Sequence, residues 1–407
     1  MEVQFVEGGA TAAKGFAAWG IHCGVRKNAS KPDLAMIMSS VPCTAAAVYT
    51  RNLVKGAPIL VTKKHLKNGT ARAVIVNSGN ANTCNADGVE KAERMSRAAA
   101  KALRIGEDDV IVASTGVIGV PLPIEPIENA VPKLASLLSP KGSLEAAKAI
   151  MTTDTMVKNL AVECSLGGKM VRIGGIAKGS GMIHPNMGTM LCFLTTDAAV
   201  SAPVLDTALR AAVDRSFNMV SVDGDTSTND TCAVMASGLA GNPELTKAEG
   251  AGYEVFAGAL LKLCTALARK IAKDGEGASR LLVCTVTGAK DEENAKKAAK
   301  GVVRSSLVKA AMFGADANWG RVLCAVGYCG AETDVSKIKV AFSSRAGSIA
   351  VCENGVGLDF SEELAKKVLS EDEVTIQVEL ADGDAQATAF GCDLTYDYVK
   401  INGDYRT

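Results

Sequence analysis

The sequence predicts an α/β protein of mixed α+β layers with stacked sheets, and three observations carry that expectation. Short β-branched runs alternate with Ala-rich amphipathic stretches along most of the chain. At 407 residues, 48% of them hydrophobic and 22% charged, the chain has ample apolar material and exceeds one ordinary domain. Aromatics make up only 4% while glycine numbers 40, which suits closely approaching backbones rather than stacking platforms for bases.

"DLAMIMSS" and "ARAVIVNSGNANTC" read as strands that end in polar loops. "VEKAERMSRAAAKALRIG" is an amphipathic helix stopped by Gly106, and "DDVIVASTGVIG" is a strand running into a glycine-bearing turn. The proline-rich "VPLPIEPIENAVP" reads as a surface crossing, and "SLEAAKAIM" as a helix. A strand over Cys192–Leu194 and helices around Val204–Phe217 and Glu254–Lys273 come next. "RLLVCTVTGA" is a further strand. "KDEENAKKAAKGVVRSSLVKAAMFG" reads as one helix, with Val302, Val303, Leu307, Ala311 and Met312 at helical spacing. "KIKVAFSS", "SIAVCENG" and "EVTIQVEL" supply strands of a smaller α/β unit. A boundary is expected near Gly288, giving a larger domain over 1–288 and a smaller one over 289–407.

Charge and cysteine content exclude several function classes. Formal net charge is zero, with Lys and Arg scattered rather than clustered, so neither nucleic acid nor an anionic membrane is an expected partner. The start carries Glu2 and Glu7 without a long apolar run, so no signal peptide is read, and the expected location is the cytoplasm. Val255–Ala272 is interrupted by Lys262 and Arg269 and makes a poor membrane span. None of the twelve cysteines forms Cys-x-x-Cys and only three histidines exist, so the thiols read as small buried residues in a reducing compartment. "VDGDTSTND" carries three aspartates but lacks the spacing and closing Glu of a calcium loop, and no metal is expected.

The stretch with most chemistry in it is "KGSGMIHPNMGTMLCFLTTDAAV", Lys178 to Val200. A polar, glycine-punctuated run passes through Gly188-Thr189 directly into an apolar strand. A threonine hydroxyl is a weak nucleophile without a base. His184, five residues upstream, is one candidate base. The other is the threonine's own α-amine, which becomes free if the chain is cut between Gly188 and Thr189. Gly188 lacks a Cβ, so its carbonyl can be exposed to that hydroxyl. An oxyanion formed by such an attack needs fixed donors, and "STGVIG" offers the Thr115 hydroxyl and the Gly116 N–H at a strand end. Lys178 suits a substrate carboxylate as a compact cation, and Glu276 in "DGEGASR" sits between glycines that let backbone approach a ligand. "MTTDTMVK" packs hydroxyls around one carboxylate, as either a helix cap or a polar substrate edge.

Taken together, "GATAAKGFAAWGI", "NSGNANTC", "ASTGVIG", "MTTDT", "AKGSGMIHPNMGTMLCFLTTDA", "SVDGDTSTNDT", "GEGASR", "LVKAAMFGADANWGR" and "YVKINGDYRT" resemble the ornithine acetyltransferase family, also called bifunctional glutamate N-acetyltransferases. The match in block order and spacing spans essentially the whole chain. The resemblance implies an N-terminal-nucleophile-like enzyme of arginine biosynthesis that cuts itself once, between Gly188 and Thr189, into α and β chains. It implies a ping-pong transfer in which the Thr189 hydroxyl takes acetyl from N2-acetylornithine and passes it to glutamate. It implies Thr115 and Gly116 as the oxyanion-stabilising pair, and Thr152, Lys178, Thr189, Glu276, Asn402 and Thr407 as substrate-binding residues. No cofactor is implied, although members differ in accepting acetyl-coenzyme A as donor. Members assemble as paired αβ units, so a heterotetramer of two α and two β chains is expected. Family members often have Ala where Gly188 stands and a small residue other than Cys at Cys192. Two other readings stay open: a related self-cleaving amidase in which water resolves the acyl-enzyme, and a small-molecule binding protein in which Gly188-Thr189 is only a loop.

Overall fold

The apolar alternation at "DLAMIMSS" opens a sixteen-residue strand, Leu34–Tyr49, in the computed structural model, which describes residues 3–184 and 190–404. Leu34 and Met36 project into one core and Ala35 and Ile37 into another. Successive side chains of a strand point to opposite faces, so a strand covered on both sides reads as a nearly unbroken apolar run.

The chain divides into two compact units that interleave in sequence. Unit 1 comprises Met1–Gly179, Pro185–Asp214 and Thr226–Leu267. Unit 2 comprises Ser180–His184, Arg215–Asp225 and Ala268–Thr407. The strands in chain order begin with β1 (Gln4–Val6), β2 (Phe16–Ile21), β3 (Leu34–Tyr49) and β4 (Thr70–Asn77). Next come β5 (Val110–Ser114), β6 (Lys158–Leu166), β7 (Lys169–Lys178) and β8 (Leu191–Thr196). After these lie β9 (Val220–Ser221), β10 (Thr231–Ala236), β11 (Leu281–Ala289) and β12 (Lys339–Ser344). The set ends with β13 (Gly347–Glu353), β14 (Val356–Gly357), β15 (Glu373–Glu379) and β16 (Ala385–Cys392).

Unit 1 holds a mixed sheet in the order β1-β6-β7-β8-β10-β3-β4-β5, with β2 pairing β3. One register row crosses four of these strands at their ends. Lys178 at the end of β7 stands opposite Leu191 at the start of β8, Leu191 opposite Thr231 at the start of β10, and Thr231 opposite Tyr49 at the end of β3. The helix Gly88–Leu103 covers one face through Ala92, Met95 and Ala99, and the helix Ser143–Ala149 packs Ala146, Ala147 and Ala149 on the other.

Unit 2 holds the sheet β14-β13-β12-β15-β11-β16-β9. Its core joins Leu282, Cys284 and Val286 of β11 to Ala298, Val302 and Met312 of the covering helices. β11 lies inside this unit, whereas the sequence division at Gly288 runs through its end.

Two sequence expectations need correction. "VPLPIEPIENAVP" is mostly helix, Ile124–Leu137, with Ile127, Val131 and Leu134 fully buried. Pro126 falls in the first turn, where an N–H has no intrahelical acceptor to lose. Pro132 lies inside the helix, where burial of its apolar stripe outweighs the missing hydrogen bond. The expected single helix after Gly288 is two, Glu292–Arg304 and Ser306–Phe313. The break is at Ser305, whose extended backbone and side chain, accepting from Val308 N–H at 3.3 Å, cap the second helix.

Candidate active site

In unit 1 the antiparallel pair β6/β7 carries two lysines into the interior. Lys158 opens β6 with no exposure, and Lys178 closes β7 at 6%. Two buried cations require a counter-charge. Asp154 supplies it, accepting from Lys158 Nζ at 2.7 Å, from Gly179 N–H at 2.7 Å and from Thr152 N–H at 3.0 Å. Burial pushes this carboxyl upward, but Lys158, Lys178 and the Gly179 N–H outweigh burial and hold it at about 2. The "MTTDT" aspartate therefore acts as a clamp between the Thr152 loop and the end of β7. Lys178 Nζ lies 3.4 Å from Thr115 Oγ1, so Thr152, Lys178 and Thr115 form one connected cluster.

Thr115 and Gly116 follow β5. Thr115 N–H donates to the Asn77 carbonyl at 3.0 Å, which extends the parallel pairing of β4 and β5 by one bond. Gly116 has φ of 130°, and a Cβ there would fall 2.7 Å from the Asn80 nitrogen and from the Gly79 carbonyl carbon. Only glycine accepts both that conformation and that approach. The neighbouring backbone is pinned by asparagines. Asn77 Oδ1 accepts from Asn80 N–H at 3.1 Å, and Asn77 Nδ2 donates to Ser114 Oγ at 2.7 Å. Asn229 Nδ2 donates to the Ser114 carbonyl at 2.9 Å, while Asn229 Oδ1 accepts from Thr83 Oγ1 at 2.6 Å. A turn so held has the rigidity that an oxyanion site requires.

Unit 2 brings together two residues that lie far apart in sequence. Asn402 Nδ2 donates to Glu276 Oε2 at 2.8 Å. Glu276 N–H donates to the Ser180 carbonyl at 3.0 Å, and the carboxyl crowds Gly181 so closely that a Cβ there would collide with it. Gly277, at φ 69°, lets the chain pass against Asp397 and Tyr398 of the last helix, Tyr396–Asp404. His184 Nδ1 is 3.0 Å from Ser221 Oγ, and burial, aided by Lys300 and Arg304, lowers its pKa to about 3. So held, the imidazole is a poor proton acceptor, which counts against His184 as the base. Asp223 of "VDGDTSTND" accepts from the Met182 and Ile183 N–H groups at 2.6 and 2.8 Å, so it anchors backbone. Among the described residues no group of carboxylates, thiols and imidazoles could hold a metal ion.

Of the sequence-derived site, Thr115, Gly116, Thr152 and Lys178 lie in unit 1, and Glu276 and Asn402 in unit 2. Gly188, Thr189 and Thr407 lie outside the described residues. Reasoning from motifs noted the Asp154 carboxylate only as a helix cap or a polar substrate edge, and did not single out Lys158, Asn77 or Asn229. The repeated asparagines of "NSGNAN" directly after a strand were the available signal, because Asn at a strand end so often pins the adjoining turn.

The ArgJ family model matches residues 17–407. Arginine biosynthesis bifunctional protein ArgJ of Symbiobacterium thermophilum is 51% identical over the full length of both chains. The protein of the same name from Bacillus subtilis is 47% identical over 100% of this chain and 98% of its own. A solved chain of Bacillus halodurans ArgJ is 46% identical, covering 52% of this chain and 97% of that one at a TM-score of 0.49. A chain of Mycobacterium tuberculosis ornithine acetyltransferase complexed with ornithine is 37% identical, covering 46% of this chain and all of that one at a TM-score of 0.43. With relatives near half identity from end to end and a family match over almost the whole length, the chain belongs to the ArgJ family.

Proposed function

We propose that this protein is an acetyltransferase of arginine biosynthesis that moves the acetyl group of N2-acetyl-L-ornithine to L-glutamate through an ester on Thr189. The relatives' shared name, bifunctional, supports acetyl-coenzyme A as a second donor for glutamate. The observation that carries the site assignment is the buried Asp154–Lys158 pair. It ties Thr152 to the end of β7 and so fixes Lys178 3.4 Å from the Thr115 hydroxyl.

The reaction needs an activated hydroxyl, a place for the oxyanion and a grip on two amino acids. Cutting of the Gly188–Thr189 bond by the Thr189 hydroxyl, through an N-to-O acyl shift and hydrolysis, leaves an α-amine beside that hydroxyl. The amine takes the hydroxyl proton as the oxygen attacks the acetyl carbonyl carbon. The tetrahedral oxyanion is held by the Thr115 hydroxyl and the Gly116 N–H. The amide C–N bond breaks as the ammonium returns its proton to the departing nitrogen, and ornithine leaves. The glutamate amine then attacks the ester, the same groups act in reverse order, and N-acetylglutamate leaves. Both substrates carry an α-carboxylate for Lys178, with Thr152 beside it. Glu276, hydrogen-bonded to Asn402, suits the distal ammonium of ornithine, and Thr407 completes the assigned set. Holding both amino acids in one pose supplies much of the rate through proximity. The acetyl group arrives on one substrate and leaves on another, so the transfer needs no cofactor. The α and β chains of one precursor form the working unit, two of each per cytoplasmic enzyme. Among the described residues no helix is long and apolar enough to cross a membrane.

N-terminal sequencing of purified enzyme, with an assay for acetyl transfer from N2-acetylornithine to glutamate, tests this reading. A chain beginning Thr-Met-Leu-Cys-Phe and formation of N-acetylglutamate are expected, and Thr189→Ala should lose both. Release of free acetate alone, or transfer by the uncut Thr189→Ala chain, would overturn it.

A further inference from the structure

The register row that starts at Lys178 ends at Tyr49, and there unit 1 holds a cationic pocket to which the site described above gives no task. Its volume is about 480 Å³, and its polar walls are Tyr49, Thr50, Arg51, Lys55, Lys63 and Arg210. Among the described residues no carboxylate lines it. Arg210 pairs with Asp206 at 2.7 Å, whereas Arg51, Lys55 and Lys63 meet no carboxylate among the described residues. Lys63 Nζ lies 5.1 Å from the centre of the Tyr49 ring, and Lys55 Nζ donates to the Asn52 carbonyl at 2.7 Å. Burial raises the Tyr49 phenol above its ordinary range with Arg210 opposing, so the hydroxyl keeps its proton and can donate. Formal net charge of the whole chain is zero, so four cations round one concavity are a local excess. Like charges so gathered repel one another, and a cleft lined by one sign focuses the field that draws in a counter-ion.

The loop that carries Arg51 and Lys55 is pinned along its length. Thr50 Oγ1 donates to the Ser227 carbonyl at 2.8 Å, and Thr50 N–H to the carbonyl of Asp230, itself 2% exposed, at 3.0 Å. Asn52 Nδ2 donates to the Thr226 carbonyl at 2.8 Å, and Gly56 N–H to the Thr228 carbonyl at 2.9 Å. A backbone fixed before a ligand arrives lowers the ordering cost of binding. Between the two cations Leu53 is 93% exposed, so an apolar surface adjoins the charge and suits an anion with an organic body. Tyr49 and Lys178 are three strand spacings apart in the row, about 14 Å, and residues opposite one another in a ladder project to the same face.

We propose that this pocket binds a multiply charged phosphate ester, and that in turnover the ester is the diphosphate and ribose phosphate end of the acetyl-coenzyme A donor. The inference rests on acetyl-coenzyme A serving as second donor, as proposed above, and adds the place where its charged end is held. Arginine forks match phosphate oxygens in pairs, and lysines serve as point charges beside them. The pantetheine arm is long enough to run from the pocket along the row to its Lys178 end. N2-acetylornithine carries no phosphate and gains nothing from these cations, so the pocket separates the two donors.

The test is the double variant Arg51→Gln with Lys63→Gln, with Arg51→Lys and Lys63→Arg together as the charge-retaining control and circular dichroism to report folding. The Gln variant should raise KM for acetyl-coenzyme A at least about tenfold, since each lost charge-assisted contact is worth about that factor. Its kcat and KM with N2-acetylornithine should stay within about twofold of wild type, and so should those with S-acetylpantetheine, which lacks the phosphates. The charge-retaining control should keep most of the affinity for acetyl-coenzyme A. Adenosine 3′,5′-bisphosphate should compete with acetyl-coenzyme A more strongly than inorganic pyrophosphate does, and should lose that competition in the Gln variant. An unmoved KM for acetyl-coenzyme A overturns the proposal, as does an equal rise for S-acetylpantetheine or for N2-acetylornithine. Pyrophosphate binding as tight as that of the bisphosphate makes the pocket a site for free phosphates and overturns the coenzyme assignment. Wild-type enzyme that uses N2-acetylornithine but not acetyl-coenzyme A refutes this inference and leaves the transfer between amino acids standing; failure with both donors refutes the proposed function itself.

Discussion

Replacing Asp154 with Asn should destabilise unit 1 substantially. The carboxyl accepts from Lys158 Nζ, Gly179 N–H and Thr152 N–H, and an Asn amide opposes at least one of these donors with its own NH2. Two routes bracket the cost. The shift of the carboxyl from 3.8 to about 2 corresponds to about 2 kcal/mol. Breaking a buried ion pair by removing one partner costs about 3–5 kcal/mol, because the other charge stays buried. Lys158 has no exposure, so the upper route applies most directly. Denaturant titration should show a loss of about 2–5 kcal/mol in Asp154→Asn. The pH dependence has a definite sign. A carboxyl with a depressed folded pKa contributes stability above its unfolded pKa and loses it as pH falls through the folded value. Wild type should therefore lose this contribution between about pH 4 and pH 2, and Asp154→Asn should lack that step. Asp154→Asn combined with Lys158→Met should recover most of the stability, since an apolar pair of similar volume replaces a buried ion pair at little cost. Transfer activity should stay low in the double variant, because Thr152 and Gly179 still lack their anion. A single variant within about 1 kcal/mol of wild type, with the acid step intact, would refute the view that this pair organises the cluster.

Other consequences are simpler to read. His184→Gln should leave the acidic limb of the pH–rate profile between pH 5 and 8 in place, because the imidazole, lowered to about 3, does not titrate there; a displaced limb on rate measurement would restore it as the base. Gly116→Ala should lower kcat by about 10²-fold while substrate KM changes little, since a Cβ at φ 130° meets the Asn80 backbone at 2.7 Å and displaces the N–H that the proposed function assigns to the oxyanion; steady-state kinetics decide it. Thiol alkylation followed by peptide mass spectrometry should label exposed Cys84 and Cys324 well before Cys192. Burial and the neighbouring Cys232 raise the Cys192 thiol well above the ordinary range, leaving almost no reactive thiolate.

How much of this was legible in the sequence depends on whether the cause is local. β4 and the first half of β3 were, because burial on both faces writes itself as a continuous apolar run, whereas the continuation of β3 to Tyr49 was not read. The helix Ile124–Leu137 was not, because its prolines argue locally for a loop while Ile127 and Val131 are held by packing from outside the segment. The site divides in the same way. Thr115, Lys178 and Glu276 were reached by resemblance to a family, with chemically sensible types as support. The burial of Asp154, Lys158 and Asp230 escaped because a carboxylate among threonines looks identical in sequence whether it caps a helix in water or neutralises a buried lysine. Nothing within "MTTDT" or "STND" specifies burial. Asn402 and Glu276 meet at 2.8 Å across 126 positions, which no spacing rule anticipates.

The register of the unit 1 sheet explains why these separate segments converge. Lys178, Leu191, Thr231 and Tyr49 form one row across β7, β8, β10 and β3. Every residue next to that row on the outer side belongs to a loop: Gly179 held by Asp154, Met190 and Asp230 side by side, and Thr50 bonded to the Asp230 carbonyl. The strand ends therefore set the spacing of the Lys178 cation and the Asp230 carboxyl by ladder hydrogen bonds rather than by loop conformation. A one-residue slip of β8 would turn all of its side chains to the opposite face, and its two faces are not interchangeable: Leu191 and Phe193 pack with Ile176, Ala233 and Met235, while Cys192 meets Cys232. Core packing thus fixes the register, and the register fixes where Met190 stands beside Asp230. A substitution such as Phe193→Ala, remote from any substrate, should therefore lower kcat through misregistration as well as costing about 3–5 kcal/mol of stability as a core truncation. Parallel measurement of unfolding and kinetics checks this. Full kcat in a folded, destabilised Phe193→Ala enzyme would show that activity does not depend on this register.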